Sequence, residues 1–231
     1  MNQQELNEVM RLHRLWLRGS PGGVQAELSC ADLCKADLTG ANLRGVDLRG
    51  ADLSWTKMNQ VDFRGADLRE ADLSGADLSE ADLREADLSE VKLTGANLCA
   101  ASFCGANLRG ADFDGADLKD AGLSEVDLSG ATGLPTVPSV EGLVSKIRSL
   151  VDANPDALEM DDVHTCATTH CLAGWAVTLA GAEGAALEKK LGWNAAGGLI
   201  FHASCGVVPD FYSTNEAAIE WLNKNARRRD S

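Results

Sequence analysis

The sequence predicts a β-solenoid of about five square coils followed by a small all-α domain. Two observations carry the solenoid. Starting at Leu28, every fifth residue as far as Leu128 is Leu, Met or Phe, 21 positions with no slip. Two residues before each of these lies a small residue, Ala26, Ala31, Ala36, Ala41, Val46 and onward to Val126, with Asp or Asn most often between them. A third observation, a change of pattern after Pro135 and Pro138, marks off the rest of the chain.

A period of five fits neither regular element. On a helix, five residues advance about 500°, so successive leucines would spiral round the axis. On a straight strand five is odd, so they would alternate between faces. The pattern can be buried if each unit is a short extended piece followed by a corner. The small residue and the Leu then point inward, the Asp between them points out, and the last two residues turn. Four such corners close a coil of about 20 residues, and coils stack about 4.8 Å apart into a rod of about 25 Å. Side chains fill the interior, which leaves no lumen.

Folding the sequence at this phase gives four ladders. The first carries Leu28, Leu48, Leu68, Leu88, Leu108 and Leu128, and the second Leu33, Leu53, Leu73, Leu93 and Phe113. The third carries Leu38, Met58, Leu78, Leu98 and Leu118, and the fourth Leu43, Phe63, Leu83, Phe103 and Leu123.

This segment resembles the pentapeptide-repeat family. The resemblance implies a right-handed quadrilateral β-helix over residues 26–134. It also implies a protein-binding scaffold, because members with a known activity resemble DNA in shape and charge and bind DNA gyrase. Relatives of that type carry loops between coils and end in a short dimerising helical segment. This repeat has no insertion, and about 95 residues of another kind follow it.

The net charge is −14. Residues 26–131 hold 21 Asp and Glu against 10 Lys and Arg, a net −11. Such a surface argues against direct nucleic-acid binding, since phosphate contacts need cations. It suits a basic protein partner, or serves only to keep the surface solvated. The candidate binding residues are Asp47, Asp67, Asp87 and Asp127 of the first face, with Glu70 and Glu90 at its corners, and Asp32, Asp52, Asp72 and Asp112 of the second. The third face is acidic through Asp37, Asp77, Asp117, Glu80 and Asp120, whereas the fourth is nearly balanced by Arg44, Arg64 and Arg84. B-DNA would carry about 15 charges over the length of the rod, so the solenoid has the charge density of a DNA mimic. Gyrase, or another basic nucleic-acid-binding protein, is the expected partner.

The ends need covers, because open coil edges recruit other chains. Leu6, Val9, Met10, His13, Trp16 and Leu17 follow helical spacing and predict a capping helix within residues 1–25, stopped at Gly19–Gly23. In residues 135–231, Val140, Leu143, Val144, Ile147, Leu150 and Val151 predict an amphipathic helix ended by Pro155. Further helices are expected at Cys171–Leu179, Glu183–Leu191, with Gly192 as its stop, and Ala195–Ala203. The last is expected from Ser213, with Ser213 and Glu216 as a capping box. This part resembles helical domains bearing a Cys-x-Ala-Gly-Trp sequence, here Cys171–Trp175, that accompany bacterial and phage repeat proteins. An oligomerising scaffold, including a homodimer, is therefore an alternative reading.

One cluster invites chemistry: His164, Cys166, His170, Cys171, His202 and Cys205. As a zinc site it has the preferred ligand types, although its spacings fit no common structural zinc pattern. As a hydrolase it would use Cys171 at a helix start as nucleophile, with His202 or His164 as base. The plain alternative is that small cysteines pack in an Ala- and Gly-rich helical core, and no metal, cofactor or enzyme activity is expected. There is no phosphate-binding Gly loop, no H-E-x-x-H and no G-x-S-x-G; the Gly19–Gly23 run follows a helix rather than a strand. Seven cysteines without disulfide-like spacing, no signal peptide and no apolar run of membrane length predict a reduced, cytoplasmic protein.

Overall fold

The computed structural model describes residues 1–153, 172–209 and 214–226. The chain divides into two compact units, Met1–Ala121 with Val126–Leu134, and Gly122–Glu125 with Pro135–Ser231.

The first unit opens with α1, Gln3–Leu17, and continues as the coil. Each five-residue unit contributes one bridged residue and one turn, and bridges are parallel between residue i and residue i+20, as in Glu27 with Asp47 and Asp47 with Asp67. The pairing is by isolated bridges, and among the described residues no run is long enough to form a regular strand. The cause is the corner, which returns after every two or three extended residues. Adjacent coils are joined by backbone bonds such as Leu48 N–H to Asp67 O (2.8 Å) and Asp67 N–H to Val46 O (3.0 Å). Each corner is closed by a bond of the type Ala71 N–H to Leu68 O (3.1 Å).

All 21 fifth-position residues from Cys30 to Gly130 have φ between 55° and 75°. Ten of them are Gly, which adopts this left-handed conformation at no steric cost. The inward positions are dry: Leu43, Leu48, Met58, Phe63, Leu83 and Phe103 are 0% exposed. Each buried Leu contributes about 1.5–3 kcal/mol by leaving water.

α1 closes the open edge of the first coil. An Asn2–Glu5 capping box starts it, and it buries Leu6, Met10 and His13. The Gln3 side-chain amide takes the place of a preceding coil: its Nε2 donates to Asp37 O (3.1 Å) and its Oε1 accepts the Asp37 N–H (3.1 Å). Met1 N donates to Asp32 O, and His13 Nδ1 accepts the Ala26 N–H.

The second unit is helical where it is described. α2 spans Leu143–Ala153, α3 Leu172–Leu179, α4 Gly181–Leu191, α5 Trp193–Cys205 and α6 Asn215–Ala226. Val140 lies outside α2, in a turn where its carbonyl accepts the Leu143 N–H. Gly181 opens α4 rather than merely ending α3, and Gly192 closes α4 as its C-cap. The expected capping box at Ser213 lies partly outside the described residues; Thr214 Oγ1 accepts the Ala217 N–H at the start of α6. α3 and α5 approach closely because Gly197 has no side chain: a Cβ there would stand 2.5 Å from that of Ala173. Phe201 meets Trp221 edge-to-face at 5.9 Å. In the same unit Leu123 N–H donates to Asn194 Oδ1 (2.9 Å) and Glu125 N–H to Pro209 O (3.3 Å). No described helix is long and apolar enough to cross a membrane.

Candidate functional site

The outward middle position of the repeat has a structural task. Of its 21 residues, 13 are Asp and three Asn. All sixteen accept the backbone N–H two residues on, for example Cys34 to Asp32 (3.2 Å), Ser54 to Asp52 (2.9 Å), Arg69 to Asp67 (3.3 Å) and Arg109 to Asn107 (3.2 Å). Such local turns satisfy a corner N–H that has no ladder partner. Asn42, Asn97 and Asn107 perform this task as well as Asp does. The turn therefore requires an acceptor and not a charge, and where no arginine pairs with the carboxylate the negative charge is surplus to the turn.

The ladders bring the predicted residues together. Glu27, Asp47, Asp67, Asp87, Asn107 and Asp127 form one continuous row of bridged residues, and Asp32, Asp52, Asp72, Lys92 and Asp112 another. At the corner of the first face, Glu70 and Glu90 are both exposed, and the Glu90 carboxyl lies over Gly110, where a Cβ would meet it at 2.6–2.8 Å.

Arginine divides the faces more sharply than the charge count does. On the first face Arg49 Nη2 lies 2.6 Å from Asp47 and its Nε 3.5 Å from Asp67, while Arg69 pairs with Asp67 at 2.6 Å and reaches Asp87 at 3.8 Å. On the fourth face Arg64 pairs with Asp62 and reaches Asp82, to which Arg84 also pairs. Arg49, Arg64 and Arg69 thus each grip their own carboxylate and lean on the next coil, while Arg84 grips Asp82. Arg49 holds Asp47 at a pKa of about 2 through its side-chain hydrogen bonds. Asp67 and Asp82 are lowered by their arginines in the same way. Burial pushes Asp62 up, but the hydrogen bonds and charge of Arg64 leave it below the usual range.

The second and third faces hold no arginine. Among the described residues their one ion pair is Lys92 with Asp72 (3.7 Å). Asp32, Asp52 and Asp112 on the second face and Asp37, Asp77 and Asp117 on the third make no ion pair. These two faces therefore present the most carboxylate without a cation. Sequence reasoning also passed over Trp55, which stands 65% exposed at the corner between them. The signal was available: it is the one aromatic residue at a fifth position.

Of the Cys/His cluster, His202 and Cys205 lie on α5, where the Cys205 thiol donates to Phe201 O (3.2 Å). His164, Cys166, His170 and Cys171 fall outside the described residues. Among the described residues no group of three or more His, Cys, Asp or Glu could hold a metal ion. Among the described residues Cys30, Cys34 and Cys99 are free thiols.

Comparison with known proteins bears on the coil. No curated protein matches the sequence. Among solved structures, the chain is similar to a trypsin-treated form of QnrB1, a plasmid-mediated fluoroquinolone resistance protein: 23% identity over 49% of this chain and 60% of that one, TM-score 0.43. It is also similar to alr5209, a pentapeptide repeat protein from Nostoc PCC 7120: 36% identity over 44% of this chain and 78% of that one, TM-score 0.38. A third is HetL of Nostoc sp. strain PCC 7120, involved in heterocyst differentiation regulation: 37% identity, 52% and 55% coverage, TM-score 0.26. The chain thus spans less than two thirds of QnrB1 and of HetL. The description "Pentapeptide repeats" matches eight copies over residues 26–65, 62–98 and 97–132. With 21 unbroken five-residue steps and bridges at a spacing of 20, the chain belongs to the pentapeptide-repeat family.

Proposed function

We propose that the protein is a non-enzymatic scaffold that binds a basic, nucleic-acid-binding protein through the acidic faces of its coil, with DNA gyrase as the concrete candidate. On this reading the coil is the right-handed quadrilateral form of the family, and its carboxylate rows stand in for phosphates. The observation that carries it is the surplus charge. The turn would be served by Asn, yet Asp fills thirteen positions. The second and third faces leave most of theirs without a cationic partner.

Rows repeating every coil, about 4.8 Å apart, place the charges at a spacing of the same order as the phosphates of one DNA strand, about 3.4 Å. A positively charged groove built for DNA would accept such a surface, and its attraction would fall steeply with salt. The docking residues are those of the acidic rows: Asp32, Asp52, Asp72 and Asp112, then Asp47, Asp67, Asp87 and Asp127 with Glu70 and Glu90. The compartment that fits such a partner is the cytoplasm.

A supercoiling assay tests the reading. Gyrase inhibition at micromolar protein and low salt, relieved by added salt, is expected. An Asp→Asn series on the second face should weaken it stepwise while leaving the melting temperature nearly unchanged. Full gyrase activity at low salt with micromolar protein present would refute the gyrase assignment.

A further inference from the structure

The side chain of Trp55 answers no requirement of the coil. It sits at a fifth position with φ 59°, a conformation that costs a non-glycine residue about 1–2 kcal/mol. It is the most exposed large hydrophobic side chain described, at 65%. Its backbone does what any residue there does, donating to Ser74 O (2.9 Å). The side chain neither fills the core nor makes the turn.

The structure provides a seat for the indole. At the next corner of the same row is Gly75, and a Cβ built there would fall 2.8–2.9 Å from Trp55 Cε3, Cδ2 and Cζ3. One side of the ring therefore rests on bare backbone, while the residue as a whole stays 65% exposed. The row continues with Gly95 and Gly115, so no side chain rises beside the ring in that direction. The two faces that meet at this corner each carry a net −3, and their cations are lysines.

An exposed indole seated on backbone in a carboxylate-rich surface is an arrangement that receives arginine. The guanidinium is planar, stacks on an aromatic face, and keeps its N–H donors in plane for neighbouring carboxylates. Lysine, a strongly hydrated point charge, gains less from the ring. Tryptophan, with tyrosine and arginine, is enriched at the energetic centres of protein interfaces.

We propose that Trp55 anchors a protein-docking surface at the corner between the second and third faces, and that it takes an arginine side chain of a basic partner segment. The guanidinium stacks on the exposed indole and turns its donors to the carboxylates of the second face. This rests on the acidic-face reading above and adds to it a centre and a preferred residue.

The test uses the full chain and two probes, oligoarginine and oligolysine peptides of equal length, titrated at low salt by calorimetry. Trp55→Gly is a safe variant, since glycine fills ten equivalent corners; its melting temperature should equal or exceed that of the parent. The parent should bind oligoarginine about tenfold more tightly than oligolysine, and Trp55→Gly should lose most of that preference while oligolysine binding stays. Unchanged oligoarginine affinity in Trp55→Gly overturns the anchor. If Asp52→Asn/Asp72→Asn/Asp77→Asn then still weakens both peptides, acidic docking stands without it. If neither peptide binds the parent, both readings fall. If Trp55→Gly alters only self-association by light scattering, the occupant is a second copy of the chain and the arginine proposal is overturned.

Discussion

His13 is fully buried on α1 with Nδ1 accepting the Ala26 N–H and Nε2 without a partner. Its ring stacks on Trp16 at 5.5 Å. A protonated imidazole would point a donor at the Ala26 donor, so the folded state holds it neutral, and burial pushes its pKa below the usual value. The unfolded chain then binds the proton first. Stability from this site is complete above the unfolded pKa of about 6.5 and is lost as pH falls below it towards the lower folded value. The protection factor of the Ala26 amide against hydrogen exchange should fall between pH 7.5 and 5, and His13→Phe should abolish that dependence. Asp47 acts in a separate window. Its folded pKa of about 2 means that the stability it contributes is present above about pH 4 and is lost as pH falls through about 2. Arg49→Ala should flatten the acid limb of a melting-temperature profile between those values. Asp82 separates turn from charge: Asp82→Asn should keep the corner bond to Arg84 N–H, whereas Asp82→Ala should cost about 1 kcal/mol in denaturant unfolding.

At the scale of elements, the coil is held by its inward rows. Leu83 belongs to the row of Phe63 and Phe103 and is 0% exposed. Leu83→Ala should cost about 2–5 kcal/mol, read by chemical denaturation, because rigid neighbouring coils cannot collapse into the space. This part of the fold was legible in the sequence because a single arithmetic step, Leu28 to Leu128, admits one way of burying itself. The helices were less legible. α1 and α2 each have one apolar face, and their spacing shows it. α3 and α5 bury residues all round, Leu172, Ala173 and Ala176 in one and Ala195, Leu199 and Phe201 in the other, so they carry no stripe that fixes their ends. Ser213 and Thr214 are both capping residues, and only geometry assigns a cap to Thr214. Of the candidate site, the acidic rows were legible from the 20-residue phase. The corner bonds of Asp and the reach of Arg49, Arg64 and Arg69 to a second coil were not, since they depend on where side chains extend from a turn.

On the scale of the whole molecule, the repeat makes its own liability. The first coil would expose Asp32 O, Asp37 O and the Asp37 N–H to any extended chain, and α1 with Gln3 occupies them. Removing residues 2–24 should therefore produce larger species by light scattering, growing with concentration. Gln3→Ala alone should have a smaller effect in the same direction. The strict period also sets the terms on which such a protein can change in length. Loss of one residue within the repeat would turn every later leucine outward, so the core should not survive it. Loss of five, such as residues 71–75, keeps every leucine inward but advances all later faces by a quarter turn. Asp67 would then be stacked on Lys92 in place of Asp87. Loss of twenty leaves both core and surface rows in register. Length variation in steps of five thus reshuffles the outer pattern over a constant interior, which lets a lineage search for new partners without re-solving its fold.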